Sequence, residues 1–310
     1  MVNYPEPARP LAEMQRTHDF FVGIDSDGCA FDTMEIKHKE CFTPNIIRWW
    51  DLQAVSKYAR EAAEFVNLYS KWRGINRWPA LVMVFDLLRE RAEVQARHVE
   101  PPKAEALRAF IADDGFPKSN DGLAAYMKSQ EADGADSRIM EELQRAWTWT
   151  HAVNDTVADM VYGVPPFPYV RESLELLADK ADMIVVSATP VEALRREWEE
   201  HDIAPFVEVI AGQEMGKKAL HLELAAKGKY DPTHILMVGD APGDMQAAKA
   251  NHALFYPINP GDEEASWQRF YDEAVHRFLS EDYAGAYEAE LIAEFEAMLP
   301  ETPPWKRAKR

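Results

Sequence analysis

From Phe167 to Ile258 the chain alternates between short apolar runs and amphipathic stretches, and this rhythm limits the fold more than any other feature. Met183–Val186, Phe206–Ile210, Ile235–Val238 and Ala253–Ile258 have the length and composition of buried strands. Val170–Leu177, Val191–His201, Lys217–Lys227 and Asp244–Ala250 read as helices between or beside them. Alternation of this kind predicts an α/β fold, a parallel sheet with helices on both faces. One further apolar run, Phe20–Ile24, lies far upstream and ends directly in Asp25-Ser26-Asp27-Gly28. Ligands of open parallel sheets bind beyond the carboxyl ends of the strands, so the polar residues closing each run are the candidates for chemistry.

Between the first run and the rest lies a long helical stretch, residues 33–164. Asp32-Thr33-Met34-Glu35 reads as a capping box. Pro79–Arg97 reads as a helix with proline in its first turn. In Asp136–Tyr162, Ile139, Leu143, Trp147, Thr150, Val153, Val157 and Met160 fall at steps of three and four, and Gly163 with Pro165-Pro166 supplies the stop. The predicted organisation is a core domain of residues 15–32 and 165–260, a helical domain of 33–164 inserted into it, and a helical extension of 261–310. The extension carries two apolar faces, one with Trp267, Phe270 and Phe278, the other with Leu291, Phe295 and Leu299. Packing on the core is the simplest use for them, and an oligomer contact is the alternative.

The strand ends carry a consistent chemistry. Asp25 and Asp27 leave the first strand two residues apart, with Gly28 relaxing the backbone behind them. An acidic pair at a buried strand end must be solvated, paired or holding a cation. Ser187 closes the second run, and Thr189-Pro190-Val191-Glu192 reads as a helix start with threonine as its cap. That leaves the Ser187 hydroxyl beside free helix N–H groups, a natural place for an anion. Gly216-Lys217-Lys218 opens another helix, where an unpaired lysine is unfavourable against the dipole. Asp240 closes the Ile235–Val238 run, and Asp244 follows after Ala241-Pro242-Gly243. Four carboxylates at one sheet edge would repel one another, and a hard divalent cation resolves this. Mg²⁺ suits a site that also binds phosphate oxygens.

These segments resemble, in order, the four motifs of the haloacid dehalogenase-like hydrolases, with a large helical cap of the phosphoglycolate-phosphatase-like kind. Asp25, Asp27 and Gly28 match D-x-D-G-T, with Cys29 where threonine is usual; Ser187 matches motif two, Lys218 or alternatively Lys217 motif three, and Asp240 with Asp244 motif four. The resemblance implies a Mg²⁺-dependent phosphatase acting on a small phosphorylated metabolite through an aspartyl-phosphate. Asp25 is then the nucleophile and Asp27 the acid and base. Ser187, the adjoining Ala188 and Lys218 hold the phosphoryl group. The Asp25 carboxylate, the Asp27 carbonyl, Asp240 and Asp244 form the metal set. An acid at position 27 resembles phosphatases and phosphomutases rather than dehalogenases, and a mutase remains an alternative, as does a non-catalytic binding protein. The inserted helices stand where the family has its cap, and Lys71-Trp72-Arg73-Gly74-Ile75-Asn76-Arg77-Trp78 offers Arg73 and Arg77 as substrate contacts or as a surface loop.

Composition sets outer bounds. A chain of 310 residues with 47% hydrophobic content can bury one large core or two smaller ones. A net charge of −19 argues against a broad nucleic-acid-binding surface. No apolar run approaches the ~20 residues of a membrane helix, and Met1–Gln15 does not read as a signal peptide. With only Cys29 and Cys41, a reducing cytoplasm is the expected compartment, and a monomer or homodimer the expected state. Lys306, Arg307, Lys309 and Arg310 read as a frayed basic end.

Overall fold

Five short strands form one wholly parallel sheet: β1 (Phe20–Ile24), β2 (Ala181–Val186), β3 (Val209–Ala211), β4 (Ile235–Gly239) and β5 (Leu254–Pro257), in the order β3-β2-β1-β4-β5. This is the architecture of the computed structural model, which describes residues 4–306. β1 pairs with β2 from Phe20↔Ala181 to Ile24↔Val185, and with β4 from Phe21↔Ile235 to Ile24↔Val238. The order reverses between β1 and β4, so the loops after these two strands open the crevice in which such sheets bind ligands.

Period-two alternation sends side chains to both faces. Val22, Ile24, Met183, Val185, Leu236 and Val238 pack on one side with Leu174, Trp198, Trp267 and Phe270. Phe21, Ile184, Val186, Met237 and Phe255 pack on the other with Leu222, Met245, Ala248 and Phe295. The helices Val170–Leu177, Val191–Glu200, Lys218–Ala225 and Pro242–Ala250 cover the two faces, as an α/β alternation requires.

The chain divides into two units. The described residues up to Met34 and Gly163–Pro300 form the first; Glu35–Tyr162 and the described residues from Glu301 onward form the second. The expected extension of 261–310 is therefore split. Up to Pro300 it completes the sheet unit: Trp267 and Phe270 are buried, and Phe295 stacks edge-on to Phe255 at 5.7 Å. From Glu301 it joins the second unit, where Trp305 lies 5.8 Å from the Phe65 ring. Of the basic end, Arg307, Lys309 and Arg310 lie outside the described residues.

The second unit is all helical among the described residues. Its longest helix, Ser137–Met160, starts on the Asp136 carboxylate, which accepts from the Arg138 and Ile139 N–H groups. Trp149 is buried against Trp50, Trp78 and Phe42. Two helices differ from expectation. The Pro79–Arg97 pattern is a helix over Arg77–Arg89 and a short one over Ala92–Gln95. Asn76 caps the first from outside, and the chain turns at Arg91, whose guanidinium is buried between the Tyr58 and Trp305 rings. The Glu35 carboxylate, read as a capping acceptor, takes Tyr69 and Lys39. In the sheet unit, Phe206–Ile210 is extended only from Val207, because Pro205 sits in a 3₁₀ turn and has no N–H for the ladder.

Candidate active site

β1 delivers Asp25 to the sheet edge, and the Asp25 N–H is still held by the Val238 carbonyl of the neighbouring strand at 3.0 Å. The chain then folds tightly. The Cys29, Ala30 and Phe31 N–H groups all point at the Ser26 carbonyl, and Gly28 has φ of 77°, the left-handed region that glycine enters without strain. Cys29 is fully buried and its Sγ faces the Val238 carbonyl at 3.7 Å. Burial pushes that thiol far up, with Asp240 and Asp25 adding to the effect, so it is a neutral core group.

β4 delivers Asp240, and the first turn of the next helix delivers Asp244. The Asp244 Oδ2 accepts from the Ala241 N–H at 3.0 Å, which fixes the carboxylate over the strand end. Gly239 is required there: a Cβ on it would lie 2.4 Å from the Asp244 Cβ and 2.6 Å from its Oδ2. Asp25, Asp240 and Asp244 are 4%, 1% and 0% exposed, and their carboxylate oxygens lie within 4.8 Å of one another.

Lys218 is the counter-charge. Its Nζ lies 2.6 Å from Asp25 Oδ2 and 2.6 Å from Asp244 Oδ1. Lys217, the alternative, is the residue before the helix and makes no such contact. Burial works against the Lys218 ammonium, but Asp244, Asp25 and Asp240 outweigh it and raise its pKa above the ordinary range. Burial, with Asp244 and Asp240 adding repulsion, pushes Asp25 well above the usual carboxylate range while Lys218 pulls it back. Three buried carboxyl groups share one ammonium. An all-oxygen set of this size and charge fits a hard divalent cation.

Asp27 stands apart from that cluster. Its Oδ1 accepts from the Thr33 hydroxyl at 2.5 Å and its Oδ2 from the Thr189 hydroxyl at 2.6 Å. This corrects the reading of Thr189 as a helix cap. The helix Val191–Glu200 is capped instead by Glu214, whose Oε2 accepts from the Val191 N–H at 3.0 Å. The first N–H of the helix end beside Ser187 is thus already taken. Ser187 is 2% exposed and its Oγ accepts from the Thr189 N–H at 3.2 Å, leaving its own hydroxyl proton available; Ala188 is exposed.

The two arginines of the helical unit part company. Arg73 is 3% exposed and donates to the Leu68 carbonyl at 3.0 Å, because the turn closed by Arg73 N–H on Ser70 folds its side chain inward. It is not presented to a ligand. Arg77 donates to Thr150 Oγ1 and Asn154 Oδ1, both at 2.8 Å, and lies 5.0 Å over the Phe42 ring. Burial lowers its pKa to about 10.

Several supporting residues were not visible as such in the sequence. Trp267 Nε1 donates to the Cys29 carbonyl at 2.7 Å, so the extension braces the loop after β1. Ser26 Oγ accepts from Trp198 Nε1 at 3.0 Å and donates to Glu197 at 3.1 Å. Each pairs residues more than 170 positions apart, and no local pattern announces them.

A comparison with protein families matches residues 103–255 to the haloacid dehalogenase-like hydrolases. The match spans β2, β4 and the residues Ser187, Lys218, Asp240 and Asp244, in the order the resemblance requires. Over residues 103–255, just under half its length, the chain is a match to the haloacid dehalogenase-like hydrolases. The match does not reach β1, but Lys218 lies inside it and touches Asp25 directly. Among solved structures, a haloacid dehalogenase-like family hydrolase from Streptococcus pneumoniae is 15% identical, covers 83% of this chain and 93% of its own, with a TM-score of 0.43. A hydrolase of the same family from Xanthomonas campestris is 10% identical, with 87% and 97% covered and a TM-score of 0.43. A predicted phosphoglycolate phosphatase from Haemophilus somnus is 16% identical, with 79% and 88% covered and a TM-score of 0.39. No curated protein matches. No helix among the described residues is long and apolar enough to cross a membrane.

Proposed function

We propose that this haloacid dehalogenase-like protein is a Mg²⁺-dependent phosphatase that hydrolyses the phosphate monoester of a small metabolite through an aspartyl-phosphate on Asp25. The observation that carries the reading is the buried trio Asp25, Asp240 and Asp244 with Lys218 Nζ bridging two of them at 2.6 Å. Asp25, Asp240, Asp244 and the Asp27 carbonyl would hold the cation, which when bound supplies positive charge against the phosphoryl oxygens.

The side chains divide the remaining work. Asp25 attacks phosphorus, and its Oδ–P bond forms as the bond to the leaving oxygen breaks. Asp27 gives its proton to that oxygen. A water then attacks the aspartyl-phosphate, Asp27 takes its proton, and the bond between phosphorus and Asp25 breaks to release inorganic phosphate. Lys218 pulls the Asp25 carboxyl back toward its ionised form against burial and, with the Ser187 hydroxyl, faces the phosphoryl oxygens.

The test is hydrolysis of p-nitrophenyl phosphate by full-length protein, after chelation and with Mg²⁺ restored, beside Asp25→Asn. Turnover is expected to vanish with chelator, return with Mg²⁺, and fall by at least about 10³-fold in the variant. Near-parental turnover by Asp25→Asn would overturn the mechanism.

A further inference from the structure

We infer that Thr189 is a positioning residue for Asp27: its hydroxyl, opposite that of Thr33, holds the Asp27 carboxylate turned away from the Asp25–Asp240–Asp244 cluster and in the orientation its two proton transfers need. The inference rests on the phosphatase reading above and adds to it a residue that makes the acid–base step efficient.

The geometry is specific. Asp27 could in principle turn either of two ways. It could join three neighbouring carboxylates around a cation, or stand off as an independent acid and base. Its two oxygens are instead each taken by a threonine hydroxyl, at 2.5 Å from Thr33 and 2.6 Å from Thr189. Two donors on two oxygens fix both remaining torsions of a short side chain, and hydrogen bonds to a charged acceptor are the strong ones.

Thr189 is itself immobilised from three directions. Its N–H points at Ser187 Oγ at 3.2 Å, its carbonyl accepts from the Gln213 N–H at 3.0 Å, and its hydroxyl reaches Asp27. Gly212 lets that loop approach: a Cβ there would lie 2.5 Å from the Thr189 carbonyl oxygen and 2.8 Å from the Val191 nitrogen. Glu214 has taken the helix-capping duty, so Thr189 is not needed for it. Thr33 is fully buried on the other side. The hydroxyl of Thr189 is therefore a rigid donor in a loop that also carries Ser187. The group facing the phosphate and the group holding the acid move as one piece.

The consequence is a kinetic signature. In the first step the proton of Asp27 goes to the leaving oxygen as its bond to phosphorus breaks; in the second, a proton of the attacking water returns to Asp27 as the bond between phosphorus and Asp25 breaks. A carboxylic acid that swings freely performs both less often. Alkoxide leaving groups need the first transfer and nitrophenolate does not, so the two substrates separate the steps.

The experiment compares Thr189→Val and Thr189→Ser in the full-length protein with Mg²⁺, on an alkyl phosphate and on p-nitrophenyl phosphate, alone and combined with Asp27→Asn. Thr189→Val should lower kcat on the alkyl phosphate by about 10- to 100-fold with KM changed less than about threefold. With p-nitrophenyl phosphate the first burst should remain and the later turnover should slow. Thr189→Ser should restore kcat to within about threefold of the parent. In the Asp27→Asn background, Thr189→Val should add less than about twofold, since it acts through a group already removed. Parental kcat in Thr189→Val, with Asp27→Asn impaired, would overturn the positioning role and leave the phosphatase reading standing. A full Thr189→Val effect in the Asp27→Asn background would also overturn it, because Thr189 would then act on the phosphate directly. Parental activity in Asp27→Asn itself would remove both readings. Should Thr189→Val fail to fold, Thr189→Ala against Thr189→Ser makes the same comparison.

Discussion

At the scale of single residues, the site is a charge problem solved within a few ångströms. Lys218 ties Asp25 to Asp244, and Gly239 leaves room for the Asp244 carboxylate to lie over the strand end. One turn after Lys218, His221 is fully buried, its ring near the Gly212 and Gly216 backbone but with neither nitrogen in hydrogen-bonding geometry. Burial first, and the Lys218 charge second, lower its pKa from 6.5 to about 4. The folded protein thus takes up this proton later than the unfolded chain as pH falls. Stability is full above the unfolded value of 6.5 and is lost progressively as pH falls toward 4. The loss amounts to on the order of 3 kcal/mol. His221→Asn should remove that part of the acid slope, seen by denaturant unfolding at a series of pH values. An unchanged slope would place the titrating group elsewhere.

At the scale of elements, the candidate site groups sit near the places where a strand stops or a helix begins, and the loops between are held by groups from other elements. The helix Val191–Glu200 shows this most clearly, since its first N–H is taken by Glu214 from the loop after β3. One hydrogen bond both caps the helix and fixes the loop that carries Gln213, whose N–H holds the Thr189 carbonyl. Glu214→Ala should cost about 1 kcal/mol of stability as a lost cap. It should also reduce kcat on alkyl phosphates in the same direction as Thr189→Val. Loss of stability with kinetics untouched would show that the loop keeps its form without the cap.

At the scale of the whole molecule, the chain builds the sheet unit from two separated stretches and the helical unit from another two. The residues after Pro300 belong to the helical unit, although the helices before them complete the sheet unit. Trp305 holds them: its ring lies over the Arg91 guanidinium at 4.5 Å and edge-on to Phe65 at 5.8 Å, with Lys306 paired to Glu90. Arg91 is 6% exposed, so this contact is part of the unit's interior. Trp305→Ala should destabilise the helical unit by about 2 kcal/mol, read as an earlier unfolding transition by circular dichroism. A change below about 0.5 kcal/mol would mean that the segment is not held there.

The sequence by itself determined the strands, their parallel pairing and the three polar strand ends, because these are carried by short-range patterns: apolar runs of strand length, a helix period, and acidic or hydroxyl residues at fixed offsets from them. Phe20–Ile24 and Val170–Leu177 lie where the pattern put them, and the ends of most other elements moved by one to three residues. Of the two lysines the sequence offers, Lys218 is the one whose Nζ lies 2.6 Å from Asp25. Only the tertiary structure decided which side chain serves which partner. Thr189 looked like a cap because its neighbours have the composition of a helix start, yet a carboxylate 162 positions away outcompetes the local N–H, and Glu214 fills the vacated place. Arg73 looked available because it stands in a basic, aromatic loop, yet the turn buries it on the Leu68 carbonyl. The physical reason is the same in each case. A hydrogen bond gains most where both groups are already buried by the packing of distant segments, and a local reading of the chain holds no record of which segments those are.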